Sequence, residues 1–231
     1  MLYFAGSLFE QGALPLERVI NLAHARGVPV IVDAAAQIPP IANLWRFTRE
    51  LGADAAIFSG GKGLRGPQSS GLVLGTPELI DACVLNASPN HSLGRPMKVG
   101  KEEMLGILAA VELALRQDEP ALLAQYESIV QRWIEGLADV PGLRVERRFP
   151  SEAGQPHGRA VIHIHRSFGL SRDEVVARLW DRHPRVAVAA VGGDEIALNP
   201  QTVEPEEAEQ VLVALREVLA PAVLANGKRP G

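Results

Sequence analysis

The runs VIVDAAAQ (30–37) and GADAAIFSGGKGLRGPQSSGLVLG (52–75) decide how this chain of 231 residues is read. Val28 to Val32 (VPVIV) and Asp54 to Phe58 (DAAIF) are short apolar stretches, the first rich in β-branched residues, and such runs read as buried parallel strands. Residues 41–51 between them read as a helix closed by Gly52. This strand–helix–strand rhythm predicts βαβ units and a mostly parallel sheet. Upstream, residues 2–4 read as a strand. Leu16, Val19, Ile20 and Ala23 then recur at helical spacing until Gly27 stops them. Downstream come a glycine-rich turn, a strand at 72–74, a helix at 77–85, an aperiodic loop at 88–100 and a strongly periodic helix at 101–116.

Pro120 marks a boundary, so the chain divides into a large unit, 1–118, and a small α/β unit, 119–231. The small unit opens with a helix to about residue 138. Strands are expected at 143–147, 160–165, 186–191 and 195–198, with Gly192-Gly193 turning a hairpin between the last two. Helices are expected at 172–182 and 204–219, the latter with Pro205 early in its first turn. Residues 226–231 read as a frayed tail.

The composition, 47% apolar and 22% charged with a formal net charge of −4, fits a globular protein with a real core. Clustered basic charge of the kind that binds nucleic acid is absent. No apolar run approaches the roughly 20 residues a spanning helix needs, so no membrane attachment is expected. One cysteine, Cys83, precludes an internal disulfide framework and fits a reducing, cytoplasmic setting; within IDACVL it is expected to be buried.

The chemistry lies in what ends the two apolar runs. Asp33 closes the first, and Lys62, 29 residues later, follows the second in SGGKG. Open α/β sheets bind ligands at the carboxyl ends of their strands. A lysine and a carboxylate on consecutive strand ends suit pyridoxal phosphate, which needs the amine for its aldehyde and the carboxylate to keep its ring nitrogen protonated. Glycines beside Lys62 let backbone approach closely. Ser59 offers a hydroxyl to a phosphate, and Ala35 a small surface on which a ring could stack. Singly, Asp33 reads as a capping residue and Lys62 as a solvated lysine; their pairing carries the reading. Gly61-x-Gly63-x-x-Gly66 matches a dinucleotide fingerprint, but Pro67 and a strand follow where a helix is required. A Walker loop fails because Gly63, not Ser or Thr, follows Lys62. His163 and His165 alternate on a strand face without an evident third ligand and read as solvated. So do Arg144, Arg147 and Arg148.

Together with GRPMKVGKEEMLGILAAVELAL (94–115) and IALNPQTVEPEEAEQV (196–211), these motifs resemble the SelA-like branch of fold-type-I pyridoxal-phosphate enzymes. This branch includes selenium transferases acting on seryl-tRNA and amino-sugar-acid ammonia-lyases. The resemblance implies an aminotransferase-like fold, of which this chain would be the C-terminal part of the large domain plus the small domain. It implies Lys62 as the Schiff-base lysine, Asp33 as the pyridinium partner and Ser59 as a phosphate ligand, with Arg95 and Lys98 binding anionic groups of the substrate. Gln37, one residue beyond the cofactor-binding glutamine of related families, is a further candidate. The wording GRPMKVGKEE is closer to the ammonia-lyases, so elimination from an amino acid or amino-sugar acid is expected. Group transfer on seryl-tRNA is the alternative, and the chain's acidity argues against tRNA. Such enzymes form homodimers or larger homo-oligomers. Asp33 stands so near the start that the family's N-terminal region is expected to be missing, which leaves a non-catalytic fragment as a further alternative.

Overall fold

The structure, a computed structural model, describes residues 1–6, 11–165 and 168–226, with side chains described through residue 219. Residues 227–231 of the expected tail lie outside them. The chain forms two units: Met1–Glu119 with Glu152–Gln155, and Pro120–Ser151 with the chain from Pro156 onward.

In the first unit the order is β1 (Leu2–Phe4), α1 (Leu16–His24), β2 (Ile31–Asp33), α2 (Asn43–Trp45), β3 (Ala55–Ser59), β4 (Gly71–Gly75), α3 (Pro77–Asn86) and α4 (Lys101–Arg116). The strands lie β1-β2-β3-β4; the first three are parallel, and β4 returns antiparallel along β3. Val32 and Phe58 point to the packed side, where Leu16 and Ile20 of α1 and Ile107 and Val111 of α4 belong to the same core. The other side is only partly covered. Phe4, Ile57 and Val73 share one register row with Asp33 and are 47%, 36% and 41% exposed. The apolar runs are therefore not buried on both faces among the described residues.

Two elements are shorter than expected. In VPVIV only Ile31 and Val32 join the ladder, because Pro29 has no N–H and the N–H of Val30 goes to Asp54 Oδ2 at 2.6 Å. The same carboxylate oxygen lies 2.8 Å from His24 Nε2, so Asp54 ties the end of α1 to the strand entries. In the 41–51 region, Pro39 and Pro40 delay helix formation until Asn43, and a π-helical turn, Arg46–Glu50, continues it to Gly52 at φ +85°.

The second unit comprises α5 (Glu119–Leu137), β5 (Leu143–Arg148), β6 (Arg159–Ile164), α6 (Arg172–Asp181), β7 (Ala189–Val191), β8 (Glu195–Leu198) and α7 (Pro205–Asn226). Its sheet is antiparallel, ordered β5-β6-β8-β7. Ile162, Ile164, Ile196 and Leu198 face a core with Trp133 of α5, Leu179 of α6 and Leu215 of α7. Trp133 Nε1 donates to the Ala208 carbonyl at 2.9 Å, which satisfies the one polar atom of that ring. The hairpin at Gly192 forms, with φ +56°, but β7 begins only at Ala189, and α7 runs on to Asn226.

The opposite face corrects the reading of a solvated histidine. His163 lies 3.2 Å from Glu146 and 3.1 Å from Glu195, and Arg148 bonds both carboxylates. The arginine cluster is likewise paired, Arg144 with Glu146 and Arg147 in a two-point bond with Glu127. Arg144, Glu146, Arg148, His163 and Glu195 form a charge lattice because β5 alternates Arg144, Glu146 and Arg148 on one face, opposite His163 and Arg159 of β6. No helix among the described residues is long and apolar enough to cross a membrane.

His157 is fully buried, with Nδ1 3.0 Å from the Gly158 carbonyl and the Tyr126 ring edge-on at 5.0 Å. Burial pushes its pKa below the ordinary histidine value. The fold therefore holds it neutral, and its contribution is complete above about pH 6.5, the unfolded value, and is lost as pH falls below that. Urea midpoints should drop between pH 7 and 5 in the wild type and stay flatter in His157→Gln. Equal slopes would show that another group titrates.

Candidate active site

Asp33 ends β2 opposite Ile57 of β3, and the chain then turns under its own carboxylate. The Ala35 N–H donates to Asp33 Oδ1 at 3.1 Å, fixing the side chain in an Asx-type turn. Asp33 Oδ2 has no partner among the described residues. The Ala34 N–H donates to the Ile57 carbonyl at 2.9 Å and the Ser59 N–H to the Ala35 carbonyl at 3.4 Å, so Asp33, Ala35 and Ser59 gather at one carboxyl edge. Gln37 is held differently. Its amide donates to the carbonyls of Ala153 at 2.9 Å and Ala5 at 3.3 Å, leaving only Oε1 for any other partner.

Lys62 lies three residues past β3, exposed, in a turn closed by the Arg65 N–H on the Lys62 carbonyl at 2.8 Å and the Gly66 N–H on the Gly60 carbonyl at 2.7 Å. Its ammonium makes no ion pair among the described residues. Arg65 adopts φ +57°, a left-handed conformation costing about 1–2 kcal/mol for a side-chain-bearing residue. The turn is compressed from two directions. A Cβ on Gly60 would stand 2.0 Å from Ser70 Oγ, and one on Gly61 2.6 Å from Gln68 Oε1. From α4, Ile107 Cδ1 lies 2.9 Å from the same Gly60 position, and a Cβ on Gly106 would meet the Pro67 ring at 2.5 Å. Helix α4 thus packs on the lysine turn. GPQSSG, with Gln68 and Ser70, stands out in sequence beside Asp33 and Lys62 but without these contacts, and Gly106 escapes the sequence reading, although a glycine inside a strongly periodic helix, about 1 kcal/mol worse than alanine, signals a close approach.

Arg95 and Lys98 stand elsewhere in this unit. They flank a single 3-10 turn, Arg95–Met97, in the segment joining α3 to α4, and line an open cavity of about 710 Å³ with Ser88, His91 and Ser92. Asp33, Ser59 and Lys62 are not among its lining residues. Cys83 is exposed, against expectation, because α3 buries none of its side chains. Among the described residues no group of three or more His, Cys, Asp or Glu is arranged to hold a metal.

No protein-family model matches the chain. Among curated proteins it is 30% identical over 211 residues to a 5′-C-glycyluridine monooxygenase-decarboxylase of Streptomyces sp, covering 89% of this chain and 50% of that one. It is 29% identical over 214 residues to the D-glucosaminate-6-phosphate ammonia lyase of Salmonella typhimurium (strain 14028s / SGSC 2262), covering 90% and 54%. The chain thus spans about half the length of these relatives. A solved structure of D-glucosaminate-6-phosphate ammonia-lyase superposes with a TM-score of 0.73 at 28% identity, covering 96% of this chain and 57% of that one. The fold is the α/β aminotransferase-like fold of type-I pyridoxal-phosphate enzymes. A further relative, a UPF0425 pyridoxal phosphate-dependent protein of Methanothermobacter thermautotrophicus, is 34% identical over 137 residues, covering 58% of this chain and 33% of that one.

Gly60→Ala should lower stability by about 1–3 kcal/mol through overpacking, read from urea unfolding. Adding Ser70→Ala should restore part of the loss, since Ser70 Oγ is the nearest obstacle. A neutral Gly60→Ala would show that the turn is looser than these distances require.

Proposed function

We propose that this chain binds pyridoxal phosphate at Lys62 and acts on a small amino acid or amino-sugar acid by an elimination of the ammonia-lyase type. The observation that supports this most is the parallel pairing of β2 with β3, which sets Asp33 and the Lys62 turn at neighbouring carboxyl ends, with Asp33 Oδ2 open among the described residues. The elimination reading leans on the ammonia lyase, which recurs among both the sequence relatives and the solved structures.

The residues present fit the cofactor. Asp33, oriented by the Ala35 N–H, would hold a proton on the pyridine nitrogen. Ala35 would lie against the ring, Ser59 Oγ would donate to the phosphate, and Gln37, with only Oε1 left, would accept from a hydroxyl. Gly60 and Gly61 keep side chains out of the way. When bound, the cofactor supplies an electron sink for charge developing at the substrate α-carbon. Lys62 Nζ would carry the cofactor and, as general base, take the proton from that carbon. Arg95 and Lys98 would bind an anionic group of the substrate.

Self-association in a cytoplasmic setting belongs to the same reading. Val84, Leu85, Leu93, Met97, Leu105 and Leu108 expose a run of apolar surface along α3, the connecting segment and α4. Light scattering should give a mass above that of one chain, and Leu105→Glu with Leu108→Glu should lower it toward the monomer; a monomeric wild type would count against self-association.

Incubation with pyridoxal phosphate, borohydride reduction and peptide mass analysis should place one adduct on the Lys62 peptide. Lys62→Ala should lose it, and Asp33→Asn should weaken cofactor binding about tenfold or more. An adduct that persists in Lys62→Ala, or one spread over surface lysines, would overturn the assignment.

A further inference from the structure

The stretch that follows Asp33 has no strand or helix to hold it. Residues 34–42 lie between β2 and α2, and side chains from elsewhere take up their backbone groups. The peptide unit joining Ala36 to Gln37 is held at both polar ends. Its N–H donates to the Ala34 carbonyl at 3.0 Å, and its carbonyl accepts from Gln155 Nε2 at 3.0 Å. One peptide further on, the Gln37 carbonyl accepts from Asn43 Nδ2 at 2.7 Å.

Gln155 reaches this stretch from 119 residues away. Residues Glu152–Gln155 belong to the first unit, although the chain on either side of them belongs to the second. The Gln155 side chain is buried, and its Oε1 accepts from the Ala153 N–H at 2.9 Å. Gly154, at φ +90°, allows the chain to fold back between the two. The pairing is reciprocal, because Gln37 Nε2 donates to the Ala153 carbonyl at 2.9 Å. Each glutamine thus donates to the backbone of the other's segment. An amide suits both places, since it donates at one atom and accepts at the other. Glutamate at 155 would set an acceptor against the Ala36 carbonyl. Alanine there would leave that carbonyl and the Ala153 N–H without their side-chain partner.

We propose that Gln155 is a positioning residue for the edge that carries Asp33, Ala35 and Ser59, acting through the Ala36–Gln37 peptide rather than on the reacting groups. A peptide unit is a rigid plane, so fixing both its ends fixes where Ala35 lies before it. Ala35 is the shared point of the edge: its N–H holds Asp33 Oδ1, and its carbonyl receives the Ser59 N–H. A loosened 36–37 peptide would let Ala35 shift, turning the Asp33 carboxylate and displacing Ser59 together. The consequence for pyridoxal phosphate rests on the cofactor reading above; the brace does not.

The test is residue-resolved amide hydrogen exchange on the cofactor-free chain, beside Gln155→Ala and the isosteric Gln155→Glu. The Ala35 and Gln37 amides should exchange about threefold to tenfold faster in both variants, as loss of one hydrogen bond implies. The amides of the β2–β3 ladder should keep wild-type rates. Titration with pyridoxal phosphate, followed by visible absorbance, should then give an affinity about threefold or more weaker in both variants. The visible circular dichroism of the bound cofactor should change, because the ring is seated differently. Unchanged exchange at residues 35 and 37 would overturn the proposal, as would exchange raised equally across the ladder, which is general destabilisation. Local loosening with wild-type affinity and spectrum would also overturn it. Wild type that forms no adduct at Lys62 overturns the cofactor reading, and with it the cofactor consequence, while the exchange pattern still decides the brace.

Discussion

The first unit depends on the parallel register that sets Asp33 opposite Ile57. Side chains alternate across a strand, so a slip of one residue would exchange Val32, which is fully buried, with Asp33. It would sink a carboxylate into the packed side of the sheet, at a cost that only pairing or neutralisation could relieve. Correct register is thus enforced by the same alternation that presents the carboxylate. Asp54 pins the entry end, accepting from Val30 and contacting His24, and the Asx-type turn pins the exit. Both ends of a three-residue strand are held by side-chain carboxylates.

The lysine turn is built on a different principle. Where β2 is fixed by register, this turn is fixed by absence of side-chain volume: Gly60 and Gly61 admit Ser70, Gln68 and Ile107 of α4 at distances no Cβ would allow. The rigidity costs a left-handed Arg65. Such a turn gives Lys62 a stationary base from which to reach, although its amine is exposed and makes no ion pair among the described residues.

Much of this was legible in the sequence, for reasons that can be named. The apolar runs around Val32 and Phe58, the stripe on α4 and the glycines after β3 are local signals, and they sufficed for the parallel strands, the helix and the turn. What stayed hidden was non-local. That Val30 bonds a side chain rather than the ladder depends on Asp54, 24 residues away. That His163 is enclosed depends on Glu146 and Glu195 arriving on both neighbouring strands, which no reading of β6 alone supplies. Cys83 misled because its helix, although apolar in composition, buries none of its side chains. The candidate site divides the same way: Asp33, Ala35 and Ser59 gather through adjacent strands, whereas the association of His91, Ser88 and Ser92 with Arg95 and Lys98 arises from the folding of an aperiodic segment.

The contact of Gly106 with the Pro67 ring bears on how relatives of this chain can diverge. The two positions are far apart in sequence but occupy one volume, so they vary as a pair: a larger residue at 106 is admissible only where 67 has shrunk. In any collection of related sequences, the helix that follows the basic segment and the loop that follows the lysine should carry a correlated record of substitutions, and drift at one should be a history of compensation at the other.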